Sequence, residues 1–167
     1  MIKNKKRILI VQPSFYYYHS HTLIKRKSKI CLAPGLISPY FASFFPEKEC
    51  AVELRDEIIH DVDFSIQYDL VAIPFVTGQA CRAYEIADKF RYNRSTVVMG
   101  GYHASACPDE VLQHADSVVV GEFEPVAEAF INDFLCGQLK SLYQSKHAFD
   151  MKGMNFPRYE LVDWKKY

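Results

Sequence analysis

Two adjacent glycines with a histidine close behind, Gly100-Gly101-Tyr102-His103, are the sequence's densest group of residues with chemical potential. Lacking Cβ, a glycine pair admits positive φ and lets a ligand approach the backbone, and it serves equally as a tight turn. His103 offers a ring nitrogen to a ligand and reads equally as polar loop surface. Thr77-Gly78 adds a hydroxyl and free amides, a composition shared with ordinary turns and helix caps. Gly121-Glu122, with Glu124 beside it, places carboxylates where they meet a ligand or cap a helix start. Ser14-Phe15 leads into Phe-Tyr-Tyr-Tyr-His-Ser-His over residues 15–21. Four aromatics and two histidines suit cover for a large planar ligand or a partner domain, and equally a hydrophobic patch on a loop.

Together these residues suit binding rather than bond breaking. No G-x-G-x-x-G follows the first apolar run and no GxxxxGK[ST] occurs, which excludes the dinucleotide fingerprint and the P-loop. No acidic pair follows that run, so a phospho-acceptor receiver is not indicated. No G-x-S-x-G elbow or other nucleophile context is present. The five cysteines are dispersed, with no CxxC, no CxxxCxxC and no Cys/His cluster at zinc spacing. They read as free thiols, and no metal ligand is assigned.

The elements that present these residues follow from hydrophobic patterning. Short apolar runs at 7–11, 51–55, 69–74, 96–100 and 117–121 alternate with longer amphipathic stretches. Residues 36–45 suit a short helix despite Pro39, and 79–90 carry apolar residues at helical spacing. Pro108 leads a short helix, and a last helix runs from Glu124-Pro125 to about Cys136, where Gly137 stops it. Residues 56–68 read as a loop with a turn or two of helix. Continuously apolar strands indicate burial on both faces, as in a parallel sheet. The expected fold is α/β, a Rossmann-like (flavodoxin-like) three-layer αβα sandwich with five parallel strands in the order 2-1-3-4-5. Ligands bind such sheets beyond the carboxyl ends of the strands, which is where Ser14, Phe15, Thr77, Gly78, Gly100, Gly101, His103, Gly121 and Glu122 fall.

Bulk properties narrow the partners. With 167 residues the chain suits one domain and a short tail. Twenty basic residues balance twenty acidic ones, so no net field favours nucleic acid or anionic lipid. No apolar stretch approaches the roughly 20 residues of a membrane span, and residues 8–11 are too few for a signal-peptide core. A cytoplasmic protein with neither nucleic acid nor membrane as partner is expected.

The ordered set of segments resembles the N-terminal cobalamin (B12)-binding domain of the B12-dependent radical SAM family. The resemblance is carried by Arg-Ala-Tyr-Glu-Ile-Ala-Asp at 82–88, Val-Val-Met-Gly-Gly-Tyr-His-Ala-Ser at 97–105, Pro-Asp-Glu-Val-Leu at 108–112 and Ala-Asp-Ser-Val-Val-Val-Gly-Glu at 115–122, with Glu124. It extends from about Lys6 to Leu142. Residues 139–143 and 156–161 resemble the connector that precedes the family's radical SAM barrel. The resemblance implies a cobalamin-binding Rossmann-like domain over residues 1–137 and a linker or arm over 138–167, leading in cis to a C-terminal radical SAM domain absent from this chain. S-adenosylmethionine and a 4Fe-4S cluster would belong to that absent domain, and this chain would have no turnover alone.

The resemblance also implies a corrinoid whose nucleotide tail enters a crevice near Thr77 and Gly100-Gly101. In place of the D-x-H-x-x-G of the better-known cobalamin module stands Gln12-Pro13-Ser14-Phe15. The expected cofactor is therefore base-off without a protein ligand to cobalt, its lower face covered by residues 15–21. The competing expectation is a cobalamin-free Rossmann-like domain used for interaction or substrate gating, which a crevice filled by that loop would favour. A flavodoxin-like flavin binder is a weaker third reading, since no phosphate loop follows the first strand.

Overall fold

The computed structural model describes residues 5–17, 22–23, 34–145 and 149–167. Six parallel strands form its sheet: β1 (Lys6–Gln12), β2 (Cys50–Asp56), β3 (Leu70–Pro74), β4 (Thr96–Gly100), β5 (Ser117–Val120) and β6 (Leu142–Gln144), in the order β2-β1-β3-β4-β5-β6. This is the expected parallel α/β fold, with one strand more than the five anticipated. The additional strand, β6, is three residues long and only its central Tyr143 is buried, so it lacks the continuous apolar run that marks the others.

Strand side chains alternate between two apolar layers. Leu9, Val11, Val71, Ile73, Val97 and Met99 face α2 (Ala80–Tyr92), with α3 (Tyr102–Ala106) and α4 (Pro108–Val111) at its flank. Ile8, Ile10, Leu70, Ala72, Val98 and Val119 face α1 (Ile37–Ala42) and α5 (Ala127–Cys136). These two layers enclose the sheet and complete the three-layer arrangement. The connection between β2 and β3 is a loop with turns and without the turn or two of helix expected, and its Val62, Phe64 and Ile66 pack against the α2 layer. α5 ends where Gly137 takes φ +71°, a left-handed stop that glycine adopts without a Cβ penalty.

Beyond β6 the chain returns over α1 and the end of β2. The Arg158 amide donates to the Pro39 carbonyl at 2.9 Å, and the Tyr167 hydroxyl donates to Asp56 Oδ2 at 2.7 Å. Among the described residues no helix is long and apolar enough to cross a membrane.

Candidate functional site

A crevice of about 550 Å³ opens at the carboxyl ends of β3, β4 and β5, on the α1 side of the sheet. The sheet's own residues make this space. Ala72, Pro74, Val98, Gly100 and Val119 form its floor, and Ala72 and Gly100 contribute almost no side-chain volume there. A Cβ on Gly100 would meet Val119 Cβ at 3.5 Å, ordinary contact, so anything longer would project from the floor. A second cavity of about 30 Å³ beneath the C-terminal segment has room for little more than a water molecule. The larger crevice lies in the size range of small-molecule and cofactor sites.

Its far wall is aromatic. Phe41 and Phe44 of α1 meet Phe123 with ring centroids 4.6 and 5.0 Å apart, and Phe123 meets Phe130 of α5 at 5.4 Å. Tyr40 adds a polar atom to this wall, its hydroxyl buried beside the Glu124 carboxylate. Burial, reinforced by the nearby Glu124 carboxylate, pushes the Tyr40 phenol up to about 12. The group remains a neutral hydroxyl across the physiological range.

The loops around the crevice are tied together by polar contacts distant in sequence. Ser105 Oγ donates to the Gly101 carbonyl and accepts from the Gly121 amide, both at 2.9 Å, joining the loops after β4 and β5. Gln79 Nε2 donates to the Pro13 carbonyl at 2.5 Å while its Oε1 accepts from the Val76 amide at 3.1 Å, joining the loops after β1 and β3. Glu57, 3% exposed, accepts from Arg82 Nη2 at 2.6 Å and from the Ser14 amide at 3.1 Å. This buried pair fixes the loop after β1 against α2.

Of the residues singled out from sequence, Gly100, Gly101, Gly121 and Glu122 line the crevice, and Ser14, Phe15, Thr77, Gly78 and His103 lie outside its lining. Gly101 is constrained by the backbone itself: at φ +103°, a Cβ there would approach the Phe75 carbonyl oxygen to 2.5 Å. Glu122 accepts from the Phe149 amide at 2.8 Å, so it holds the C-terminal segment rather than a helix start. Phe15 packs its ring against Gly78, where a Cβ would sit 3.2 Å away. His103 turns to the α2 side, 3.3 Å from Thr77 Oγ1 and 3.0 Å from the Tyr84 hydroxyl. His19 and His21 fall outside the described residues. Sequence reasoning missed Tyr40, Gln79, Glu57 and Arg82, whose roles rest on contacts that no local pattern encodes.

The chain is similar to bacteriochlorophyllide methyltransferases. It is 45% identical over 96 residues to the bacteriochlorophyllide d C-8(2)-methyltransferase of Chlorobaculum tepidum, covering 57% of this chain and 21% of that protein. It is 32% identical over 162 residues to the bacteriochlorophyllide d C-12(1)-methyltransferase of the same organism, covering 96% of this chain and 34% of that protein. The chain thus spans about a third or less of the length of these curated relatives. No protein-family model matches it. Among solved structures, the N-terminal domain of a hypothetical protein from Thermotoga maritima aligns with TM-score 0.41 and 24% identity, over 52% of this chain and 74% of that one.

Proposed function

We propose that this chain is the cobalamin-binding domain of a B12-dependent radical SAM methyltransferase acting on a bacteriochlorophyllide or a similar tetrapyrrole. The observation that carries this reading is the crevice with its floor of small residues at the carboxyl end of the sheet. Its volume suits a heterocyclic tail rather than a whole corrinoid, and the Tyr40 hydroxyl with the Glu124 carboxylate beside it gives the wall a polar edge. The crevice is open beside Gly101, which supports cofactor binding over the gating-module alternative.

When bound, cobalamin accepts a methyl group and passes it on. The chain's own residues do the holding. Ala72 and Gly100 leave room for the nucleotide tail, and Phe41, Phe44 and Phe123 exclude water from it. Gly121 and Glu122 stand at the mouth, and Ser105 keeps the two adjoining loops in register. Phe15, Thr77 and Gly78, exposed in the loops after β1 and β3, edge the surface over which the corrin ring would lie, base-off and without a ligand from the protein to cobalt, with Ser14 and His103 buried behind them as supports. In this reading S-adenosylmethionine and a 4Fe-4S cluster belong to a radical SAM domain that follows in cis, and the whole works in the cytoplasm. The domain includes β6, and the segment after it is the arm leading to that barrel.

Titration with hydroxocobalamin and methylcobalamin, followed by absorbance, tests the reading. Saturable binding with a base-off spectrum, unchanged by His19→Ala and His21→Ala, is the expected result. Absence of binding at high micromolar cofactor overturns it in favour of the gating module.

A further inference from the structure

On the α2 side of the sheet, away from the crevice, His103, Cys107 and Glu110 bring a ring nitrogen, a thiol and a carboxylate within 4.8 Å of one another. The local sequence explains the convergence. The Cys107 amide donates to the His103 carbonyl at 2.9 Å, so these residues four apart leave the same side of α3. Pro108 then starts α4 and carries Glu110, three residues beyond Cys107. The buried His103 ring lies against Phe75 and Tyr84, at centroid distances of 5.4 and 6.2 Å.

Polar neighbours orient the donors. His103 Nδ1 lies 3.3 Å from Thr77 Oγ1, and Nε2 lies 3.7 Å from Glu110 Oε1. Nε2 also lies 3.0 Å from the Tyr84 hydroxyl, and moving the ring proton to Nδ1, which then donates to Thr77, frees the Nε2 lone pair for an ion. The Tyr84 hydroxyl donates to Glu110 Oε1 at 2.8 Å and holds that carboxylate toward the ring, and Oε1 keeps a second lone pair for an ion.

We propose that His103, Cys107 and Glu110 form a site for a divalent transition metal of the zinc class, separate from the crevice. One nitrogen, one sulfur and one oxygen donor suit zinc, whereas magnesium and calcium favour oxygen donors. Tetrahedral zinc with these ligands sets donor separations of roughly 3.3–3.8 Å. The histidine and carboxylate already stand at 3.7 Å, and the thiol, within 4.8 Å of both, has at most about 1 Å to close, which a small side-chain rotation supplies. Glu110 is exposed, so the fourth position opens to solvent. Without an ion, Thr77, His103, Tyr84 and Glu110 make a continuous hydrogen-bonded chain in which Cys107 takes no part. The role of the thiol therefore separates the two arrangements.

The experiment is titration of the tag-free, chelator-treated chain, free of cobalamin, with Co(II) as a spectroscopic replacement for Zn(II). One saturable equivalent with a tetrahedral visible spectrum and a near-ultraviolet thiolate band, displaced by Zn(II), is expected. Cys107→Ser should abolish the band, and Glu110→Gln should weaken binding at least about tenfold. Cys81→Ser and Cys136→Ser, at the exposed thiols, should change neither, and circular dichroism should show all variants folded. No saturable uptake, a spectrum without the sulfur band, or a band that survives Cys107→Ser overturns the proposal.

Discussion

On the α2 side of the sheet, Phe90 and Ile86 fill the space above β3 and β4, fully buried and in contact with the strands. On the α1 side the same strands carry Ala72 and Gly100, and α1 stands off with aromatic side chains that line the gap without closing it. One face is packed for stability, and the other gives up packing at its carboxyl end to keep a volume available. A well-packed protein retains few voids larger than a water molecule, so an open apolar crevice at the carboxyl ends of the strands points to a ligand.

Cutting an aromatic from each face breaks or sharpens this comparison most strongly. Phe90→Ala should cost about 3–5 kcal/mol in urea unfolding, because it opens a cavity in a closed core. Phe41→Ala, at a half-buried position lining the crevice, should cost roughly 1–2 kcal/mol while weakening cofactor binding. Equal costs would mean that the faces are packed alike. The glycine pair gives the next largest contrast. Gly101→Ala should lose about 3 kcal/mol through its positive φ and its contact with the Phe75 backbone, whereas Gly100→Ala should cost less than about 1 kcal/mol. Thermal melts check both, and a well-tolerated Gly101→Ala would refute the backbone role assigned to it.

Asp69, at the amino edge of the sheet, gives the smallest effect and serves as a control for either face. Burial raises its pKa, but Lys6 Nζ and the Arg7 amide, each donating at 2.8 Å, outweigh this and hold the carboxyl below its usual value. A depressed folded-state pKa contributes stability above the unfolded value, and that stability is lost as pH falls below about 4. Asp69→Asn should therefore flatten the fall in melting temperature below about pH 4 and leave the contrast between the faces unchanged. An acid limb identical to that of the parent protein would remove Asp69 from this account.

The strands that cross the core were legible because every residue of β1, β3, β4 and β5 that must be buried on two faces is apolar or small. β6 was not, since a three-residue edge strand with one buried side chain carries no pattern. The glycines at the crevice were legible through their position at strand ends. Which face a neighbour would serve was not: His103 follows Gly101 by two residues, yet the first turn of α3 points it to the α2 side. Glu57–Arg82 and Gln79–Pro13 join residues 25 and 66 positions apart, and no local periodicity encodes such contacts. Tyr40 was hidden for a related reason, as the burial of its hydroxyl beside Glu124, 84 positions away, is a property of the packed structure alone.

The most direct test of the central claim is calorimetric titration of methylcobalamin into the chain and its Gly100→Phe variant. A phenylalanine at this position fills the crevice from its floor without disturbing the Gly101 backbone. The account predicts binding to the parent protein and a loss of at least about a hundredfold in the variant, roughly 2.7 kcal/mol, with an unchanged circular dichroism spectrum. Equal affinity in a folded variant would contradict it, because the cofactor would then be held somewhere other than this crevice.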